Sequence, residues 1–343
     1  MMRGTRGDVA GCGIGVNPVQ INPAIPGTLT RVAVGDVGRP RLSADGTTVV
    51  YDQWVNEQWD VMRWCDGKTQ ALSTDPHHDV DPRVSADGRT VVWSRMFENN
   101  DGSTTTFTDD VLQWQDGKTT TVAGSDQDEQ MATVSGDGKT VAWSYDEPNG
   151  AIAFDIQTRK DGVTTSATTG WQVDIDPLLN DDGSRLFFRR KVHLDDGDMW
   201  LRDETGKERQ LTNDPWGEFD PTIDGAGRTL VWADARKGFD ILMQCDVDSG
   251  KTQAIQAEEH VDNSVPSLSV DGHHLAWARR DRKSGTDPQI MLSDNGVVTP
   301  LTTEGWNSWP SISKDGRVIS WINVDGKTTS IYRFERSQTA AQG

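Results

Sequence analysis

Residues 82–93 read PRVSADGRTVVW, and the same pattern occurs seven times along the chain. Its glycine recurs at intervals of 42 to 50 residues. The seven glycines are Gly46, Gly88, Gly138, Gly183, Gly227, Gly272 and Gly316. Five residues after each glycine stands an aromatic residue, namely Tyr51, Trp93, Trp143, Phe188, Trp232, Trp277 and Trp321. A fixed period of this length is typical of propellers and solenoids.

Each copy of the pattern predicts a β-hairpin. Asp-Gly between two apolar runs favours a tight turn, because glycine adopts the positive φ that the turn requires. The residues three and five positions after the glycine point to the same side of a strand, so their bulky apolar side chains should be buried between neighbouring sheets. A second turn follows in each unit, as at Asp66-Gly67 and Asp116-Gly117. Two hairpins per period give four strands, which is one propeller blade.

The sequence therefore predicts an all-β fold, a seven-bladed β-propeller of four-stranded blades. The seventh unit has a third strand near residues 328–334 but no matching fourth, whereas residues 28–34 form a strand before the first unit. We expect this N-terminal strand to join the last blade and to close the ring, which removes open sheet edges. The predicted organisation is a Gly/Pro-rich N-terminal arm over residues 1–27, the propeller over 28–335 and a C-terminal tail over 336–343.

The composition restricts the classes of partner. A net charge of −19 argues against nucleic acid, since phosphate binding needs a basic surface. No run of 18 apolar residues occurs, so no membrane span is predicted. No signal peptide is recognised in the polar N-terminal residues. The expected location is therefore either the cytoplasm or a compartment reached by a non-standard export route.

The variable loops on one face of the predicted propeller carry a series of polar residues. They stand three residues before the proline position of successive units: Asp79, Glu129, Asp174, Glu218, Asn263 and Asn307. If they surround the mouth of the central channel, the four carboxylates repel one another unless a cation lies among them. One interpretation is a Ca²⁺ site formed by the four carboxylates, because Ca²⁺ prefers oxygen ligands. The other is that each side chain bonds to the backbone of an adjoining blade.

Aromatic and imidazole side chains are predicted on the same face. They are Trp171, Trp216, Trp306 and Trp309, together with His77, His78 and His193. Aromatic platforms beside carboxylates suit a carbohydrate, and aromatics beside arginine suit a protein interface. The histidine spacing does not match a zinc motif, and no nucleophile motif is present in the sequence.

The unit Ser-x-Asp-Gly-x-x-(Val/Leu)-x-Trp, with Leu-Thr pairs such as Leu211-Thr212 and Leu301-Thr302, resembles the TolB-type, WD-repeat-like propeller repeat. This resemblance implies a bacterial envelope protein that contacts other proteins through its channel-mouth face. Other propellers of similar pattern are oligogalacturonate lyases, whose metal site is rich in histidine. The predicted function is a non-catalytic scaffold that binds a protein partner through the loop face. The alternative is a carbohydrate-binding or polysaccharide-lyase-like propeller that uses the same face.

Overall fold

The computed structural model of the protein describes residues 19–100, 105–146, 153–191, 197–236 and 238–337. Within these ranges the chain forms strands joined by turns and bends, and it forms no helix. The predicted all-β class is confirmed. It follows that the same ranges contain no helix with the length and apolar character that crossing a membrane requires.

The strands follow the seven sequence units, here called repeats 1 to 7. Two strands come first: β1 (Gln20–Ile21) and β2 (Gly27–Val34). Repeat 1 contains β3 (Arg41–Leu42), β4 (Thr48–Val55), β5 (Gln58–Cys65) and β6 (Lys68–Ala71). Repeat 2 contains β7 (His78–Val84), β8 (Thr90–Asn100), β9 (Thr105–Gln115) and β10 (Lys118–Ala123). Repeat 3 contains β11 (Glu129–Val134), β12 (Thr140–Asp146), β13 (Phe154–Lys160) and β14 (Val163–Ser166).

The second half of the chain continues in the same way. Repeat 4 contains β15 (Val173–Leu179), β16 (Leu186–Lys191), β17 (Asp198–Arg202) and β18 (Glu208–Gln210). Repeat 5 contains β19 (Glu218–Ile223), β20 (Thr229–Arg236), β21 (Phe239–Asp246) and β22 (Lys251–Gln256). Repeat 6 contains β23 (Val261–Leu268), β24 (His274–Asp281), β25 (Gln289–Asp294) and β26 (Val297–Pro300), and β27 (Thr302–Glu304) follows it. Repeat 7 contains β28 (Trp306–Ile312), β29 (Val318–Asp325) and β30 (Thr328–Arg336).

Each repeat forms an antiparallel array of four strands. In repeat 7 the fourth strand is β2, which pairs antiparallel with β30 from Gly27 opposite Arg336 to Val34 opposite Ser330. This is the pairing expected of the N-terminal strand. The arrays of repeats 3 and 4 are joined into one eight-stranded sheet by a parallel bridge between Phe154 and Val173. No sheet in the described ranges closes on itself.

The recurring Ser-x-Asp-Gly turn is explained by local hydrogen bonds and by close packing. In repeat 2, the Ser85 hydroxyl donates to Asp87 (2.7 Å) and accepts the N–H of Thr90 (3.0 Å). Gly88 has a φ of 71°, in the left-handed region that favours glycine. A Cβ at Gly88 would lie 2.5 Å from the Thr48 hydroxyl of repeat 1. The glycine is therefore required both by the turn and by the approach of the neighbouring repeat.

The predicted core positions are buried. The aromatic residue five positions after each turn glycine is at most 1% exposed in every repeat. The aliphatic residue three positions after the glycine is also buried in every repeat. These side chains form separate clusters between successive repeats, such as Val50, Val91, Trp93 and Leu112 between repeats 1 and 2. Burial of large side chains between the sheets is the main source of stability expected for this architecture.

Backbone hydrogen bonds link the Asp-Gly turns of different repeats to one another. The Ala44 N–H donates to the Ala86 carbonyl (2.9 Å), and the Ala86 N–H donates to the Gly136 carbonyl (2.9 Å). The series continues through Asp137 to Asp181, Asp181 to Gly225 and Gly225 to Val270. The Lys314 N–H of repeat 7 donates to the Ala44 carbonyl of repeat 1 (2.7 Å). The turns at the two ends of the chain therefore lie side by side.

The first strand of most repeats contains a β-bulge that the sequence pattern did not predict. The ladder between first and second strands shifts register in repeats 2 to 7, at the position of the repeat proline. The residue before that position has a φ between 48° and 58° in each case: Asp81, Met131, Asp176, Asp220, Val265 and Trp309. An extra residue in one strand reorients the side chains near it. This conformation is unfavourable for a β-branched residue such as Val265, so the surrounding sheet must hold it in place.

Candidate functional site

The antiparallel order places four chain segments at one edge of every array. The first strand begins there, the second ends, the third begins and the fourth ends. We call this edge the loop face; the Asp-Gly turns lie at the opposite edge. The loop face is where the sequence predicts the functional residues, because loops on a rigid scaffold commonly carry function.

The six polar residues predicted to surround the channel mouth are all buried, with at most 3% of their surface exposed. In repeat 2, Asp79 accepts a hydrogen bond from Trp93 Nε1 (2.7 Å) and one from Arg95 Nε (3.0 Å). Burial raises the pKa of Asp79, and Arg95 and Trp93 oppose that shift. In repeat 4, Asp174 forms a two-point ion pair with Arg190, at 2.7 and 2.8 Å. Both carboxylates are thus partnered within their own repeats.

The two amides, Asn263 and Asn307, each bind the tryptophan of their own repeat that corresponds to Trp93. Asn263 Oδ1 accepts from Trp277 Nε1 (3.0 Å), and Asn307 Oδ1 accepts from Trp321 Nε1 (2.9 Å). An oxygen on a short side chain at this position therefore satisfies the indole N–H of the buried tryptophan, which is costly to leave unpaired in a core.

The two glutamates differ from the shorter side chains. Glu129 accepts from the Ser125 hydroxyl (2.5 Å), and Trp143 Nε1 has no hydrogen-bond partner among the described residues. In repeat 5, neither oxygen of Glu218 nor Trp232 Nε1 has a partner in the described ranges.

The environment of Glu218 disfavours its charged form. Burial raises the pKa of Glu218 to about 8, and the negative charges of Asp198 and Asp214 act in the same direction. The Thr212 hydroxyl opposes the shift, but it donates its hydrogen bond to Asp198 (3.4 Å). Across the strand pair, Glu218 stands opposite Asp234, which itself binds Arg236 (2.7 Å). Glu218 is therefore a buried carboxyl group that lacks its own cation.

The four carboxylates predicted as Ca²⁺ ligands have separate surroundings in this structure. Asp79 and Asp174 each bind an arginine, Glu129 binds a serine, and Glu218 lies beside other acids of repeats 4 and 5. Among the described residues, no group of three or more histidine, cysteine, aspartate or glutamate side chains is arranged to hold a metal ion.

The tryptophans predicted at the loop face form an exposed pair and a half-buried pair, and the described histidines contact aromatic rings. Trp171 is 67% exposed and Trp216 is also exposed, whereas Trp306 and Trp309 are half-buried against the core between repeats 7 and 1. His78 stacks on Trp54, with ring centroids 5.6 Å apart, and its Nδ1 accepts the N–H of Trp59 (3.1 Å).

Of the other two histidines predicted at the loop face, His77 lies in the described ranges and His193 does not. His77 contacts the Phe97 ring at a centroid distance of 4.7 Å and pairs with Asp75 (3.1 Å). His193 lies outside the described residues.

Exposed aromatic side chains are concentrated on the loop face. Among the described residues, the exposed aromatics are Trp54, Phe107, Trp171, Trp216 and Phe219. Each is at the end of a second strand, near the start of a third, or at or just before the start of a first strand. The large apolar residues exposed at the opposite edge, such as Val163 and Val297, are aliphatic. The loop face thus combines aromatic surface with the charged rim that the arginines and acids form.

The basic residues of the loop face are largely paired. Arg236 binds Asp234 and Asp214, and Arg282 binds Asp262 (2.5 Å). These two arginines line a cleft of about 640 Å³ between repeats 5 and 6, together with Phe239 and His260. The cleft therefore offers polar atoms whose charges are already balanced by acids of the chain.

A second group of charged residues, which sequence reasoning missed, comes together from the first strands and the segment just before β3. We call it the first-strand charge cluster; its members are Arg39, Arg41, Asp81, Arg83, Asp176 and Asp220. Arg39 of repeat 1 lies 3.7 Å from Asp220 of repeat 5, and its guanidinium lies 3.4 Å from the centre of the Trp309 ring. Asp176 binds Arg189 at 2.5 Å. The two contacts of Arg39 join repeats that are far apart in the sequence.

The cluster could have been found by comparing the residues on either side of each repeat proline. Those positions hold the six charged residues of the cluster. The polar residues predicted at the channel mouth stand three residues before the proline position instead. The bulge explains why: it changes which side chains of the first strand face one another, and strict alternation does not predict this.

Comparison with known proteins shows the fold and no family. No protein-family model matches the chain, and no curated protein matches its sequence. Two solved oligogalacturonate lyases are similar in structure. One, in complex with manganese, has 14% identity and a TM-score of 0.68; the other, from Vibrio parahaemolyticus, has 10% identity and a TM-score of 0.71. For both, the match covers 95% of this chain and 98% of the other.

A TolB-like protein from Agrobacterium tumefaciens is also similar, with 17% identity and a TM-score of 0.50. The match covers 79% of this chain and 95% of that chain. At these identities the comparisons establish a propeller-type fold, shared by proteins of different function.

Proposed function

We propose that the seven arrays are the blades of one ring over residues 28–335, and that its loop face binds a protein partner without catalysing a reaction. Contacts between the two ends of the chain support the ring. The Leu42 N–H of repeat 1 donates to the Ser311 hydroxyl of repeat 7 (2.9 Å). Val49 and Tyr51 share a buried cluster with Val318, Ile322 and Ile331. The pairing of β2 with β30 supplies the fourth strand of the last blade.

The exposed aromatic set carries the functional proposal. Trp54, Phe107, Trp171, Trp216 and Phe219 are exposed at one face, and aromatic residues are enriched where proteins bind each other. Scattered exposed apolar residues need no explanation, but aromatic rings confined to one face of a repeat protein do. Because the chain carries a net charge of −19, the partner surface is expected to be basic around its apolar centre.

Photo-crosslinking tests this proposal directly. A benzophenone amino acid replaces Trp171, and the variant is compared with one that carries the same group at Val297, which is exposed on the opposite edge. We expect a discrete adduct in the source cells from position 171 and none from position 297. The amount of adduct formed from position 171 should fall when Trp54 and Trp216 are changed to serine. Equal adducts from both positions would contradict a loop-face partner.

Carbohydrate binding is the second candidate. It is favoured by the flat, exposed rings of Trp171 and Trp216 and by the structural likeness to oligogalacturonate lyases. The manganese of that lyase complex has no counterpart set among the described residues of this chain, and we assign it no role. Incubation with polygalacturonate, followed by absorbance of unsaturated products, distinguishes the candidates. Turnover would exclude the non-catalytic proposal, and binding without turnover would favour a lectin.

The Ca²⁺ site at Asp79, Glu129, Asp174 and Glu218 stays a prediction. Thermal melting of chelator-treated protein, with and without added Ca²⁺, tests it, because a ligand of the native state raises stability. A rise in Tm that is lost in Asp174→Ala but retained in Asp315→Ala, a change in an Asp-Gly turn, would support the site. No rise would leave these four carboxylates with structural roles.

A further inference from the structure

We propose that the hairpin tip at residues 54–59, together with His78, binds an arginine side chain of the protein partner. We call this surface the Trp54 platform; its members are Trp54, Glu57, Trp59 and His78. The proposal rests on the loop-face partner and adds which repeats contact it and through which chemistry. Trp54 is 42% exposed and Glu57 is exposed, whereas Trp59 and His78 are half-buried.

The ring of Trp54 is held in place by its neighbours. Trp54 stands opposite Trp59 in the register of β4 and β5, and their ring centroids lie 5.6 Å apart at an angle of 70°. The imidazole of His78 stacks on Trp54 with ring centroids 5.6 Å apart, and its Nδ1 accepts the N–H of Trp59 (3.1 Å). His78 thus joins repeat 2 to the hairpin tip of repeat 1. Rings fixed in this way lose little freedom when a partner binds, which lowers the cost of association.

Carboxyl groups lie on two sides of the platform. Glu57 is in the two-residue turn between β4 and β5, two positions before Trp59. Gln58 Nε2 donates to Asp60 (2.7 Å) and to the backbone carbonyl of Asp75 (2.6 Å). These hydrogen bonds place the acidic segment that leads into β7 beside the hairpin tip.

The charge of this part of the loop face favours a cation. Segments 52–60, 72–80 and 94–110 contain nine acidic residues, one arginine and no lysine. The arginine is Arg95, and it is paired with Asp75 and Asp79. By contrast, the loop segments 189–198 and 279–287 of repeats 4 and 6 contain seven arginine and lysine residues. A basic segment of the partner is therefore attracted to repeats 1 and 2 more than to repeats 4 and 6.

The chain itself binds a guanidinium group with the same two kinds of side chain. Arg39 lies 3.4 Å from the centre of the Trp309 ring and 3.7 Å from Asp220. Trp54 has aromatic neighbours, and no arginine or lysine of the described ranges lies over its ring. A planar guanidinium stacks on an indole face, whereas an ammonium is a compact and strongly hydrated charge. Arginine is therefore the side chain that the platform fits best.

Fluorescence anisotropy of a dye-labelled peptide tests the platform on the full chain at physiological ionic strength. The probe alternates glycine and arginine, and peptides of equal length carry lysine or citrulline at the arginine positions. Citrulline keeps the shape of arginine without its charge. We expect the arginine peptide to bind more tightly than the lysine peptide and the citrulline peptide not to bind. Trp54→Leu should raise the Kd of the arginine peptide about three- to fivefold, as expected for loss of an exposed cation–π contact.

Matched variants separate the platform from the general charge of the chain. Glu57→Gln should raise the Kd of the arginine peptide about twofold. Glu204→Gln is the same change in an exposed turn of the opposite edge, and it should leave the Kd unchanged because distant charges are screened. Trp54→Phe keeps an aromatic face and should retain most of the affinity. If Trp54→Leu fails to fold, Trp54→Thr, which suits an exposed strand position, replaces it.

Each alternative outcome has a defined meaning. An equal Kd for wild type and Trp54→Leu, or an equal loss in Glu57→Gln and Glu204→Gln, would overturn the proposal. A lysine peptide that binds as tightly as the arginine peptide would overturn the preference for a guanidinium. An adduct at position 171 with no effect of Trp54→Leu would reject the platform and retain the loop-face partner. Peptide binding that depends on Trp54, without any adduct, would retain the arginine site and reject the partner.

Discussion

Repeat 2 places Asp79 opposite Arg95 in the register of its first two strands, whereas repeat 5 places Glu218 opposite Asp234. In repeat 2 the carboxylate binds both the arginine and the buried Trp93 indole. In repeat 5 the longer carboxyl group has no hydrogen-bond partner among the described residues, and neither does the Trp232 indole. One methylene group and one cross-strand neighbour thus separate a paired buried carboxylate from a buried carboxyl group that has no hydrogen-bond partner among the described residues. The same repeat fold therefore tolerates either a basic or an acidic neighbour opposite the buried carboxyl group.

The largest expected effect is at Asp79. Asp79→Ala leaves the Trp93 indole unpaired and removes a buried partner of Arg95, so we expect a loss of about 3 kcal/mol in the free energy of unfolding. Urea unfolding measures it. Asp79→Asn, which reproduces the residue type of Asn263 and Asn307, should lose less than half as much. If Asp79→Ala lowers the free energy of unfolding no more than Glu218→Ala does, the two carboxyl groups do not differ as proposed.

The second prediction concerns pH. The folded-state pKa of Glu218, about 8, lies above the reference value of 4.5, so folding favours the protonated carboxyl group. Its stabilising contribution is full below pH 4.5 and is lost as pH rises through about 8. We expect the stability advantage of Glu218→Gln over wild type to be almost nothing at pH 4.5, to grow as the pH rises, and to level off above about pH 8. The exposed Glu204→Gln should show no such trend, and parallel pH profiles for wild type and Glu218→Gln would refute the prediction.

The third prediction compares the two indoles. Trp93→Phe removes volume and a hydrogen bond, whereas Trp232→Phe removes similar volume from a ring whose N–H is unpaired. The loss in unfolding free energy should therefore be greater at Trp93 by about 1–2 kcal/mol. Chemical denaturation of both variants measures the difference. Equal costs would show that the Asp79–Trp93 hydrogen bond contributes little.

The smallest effect is expected from shortening Glu218. Glu218→Asn places an amide oxygen where Asn263 and Asn307 bind their tryptophans, and it offers Trp232 an acceptor. Compared with Glu218→Gln, which is also neutral, we expect a gain of about 0.5 kcal/mol. The reverse change, Asn307→Gln, should reduce stability. A Glu218→Asn variant that is less stable than Glu218→Gln would show that the lost methylene group matters more than the indole bond.

Much of the fold could be predicted because turn chemistry and strand period act locally. The turn at Gly88 follows from the Asp-Gly pair between two apolar runs, and the burial of Trp93 follows from its place in the strand period. The bulge before Pro82 could not be predicted, because Asp81 adopts positive φ only under constraint from neighbouring sheets.

The candidate site was less accessible to prediction. Spacing identifies polar residues such as Asp79, but whether such a residue is paired depends on the residue seven positions after the turn glycine, which is Arg95 in repeat 2 and Asp234 in repeat 5. The pairing of Arg39 with Asp220 joins first and fifth repeats, and no local pattern contains that information. Contacts between distant segments thus determine the charged groups, whereas local contacts determine the hairpins.

The pairing of β2 with β30 also sets how the molecule would respond to a pulling force. Gly27 and Arg336 face each other at the same end of this strand pair. Tension applied through the segments before Gly27 and after Arg336 would load the ladder one hydrogen bond at a time, as a zipper opens, and not all bonds together. The strand pair would therefore separate at low force, while the turns linked through Ala44 and Ala86 remain unloaded at first. After β1 has separated from β27, a protein tethered at both ends would therefore release its last array before the other arrays.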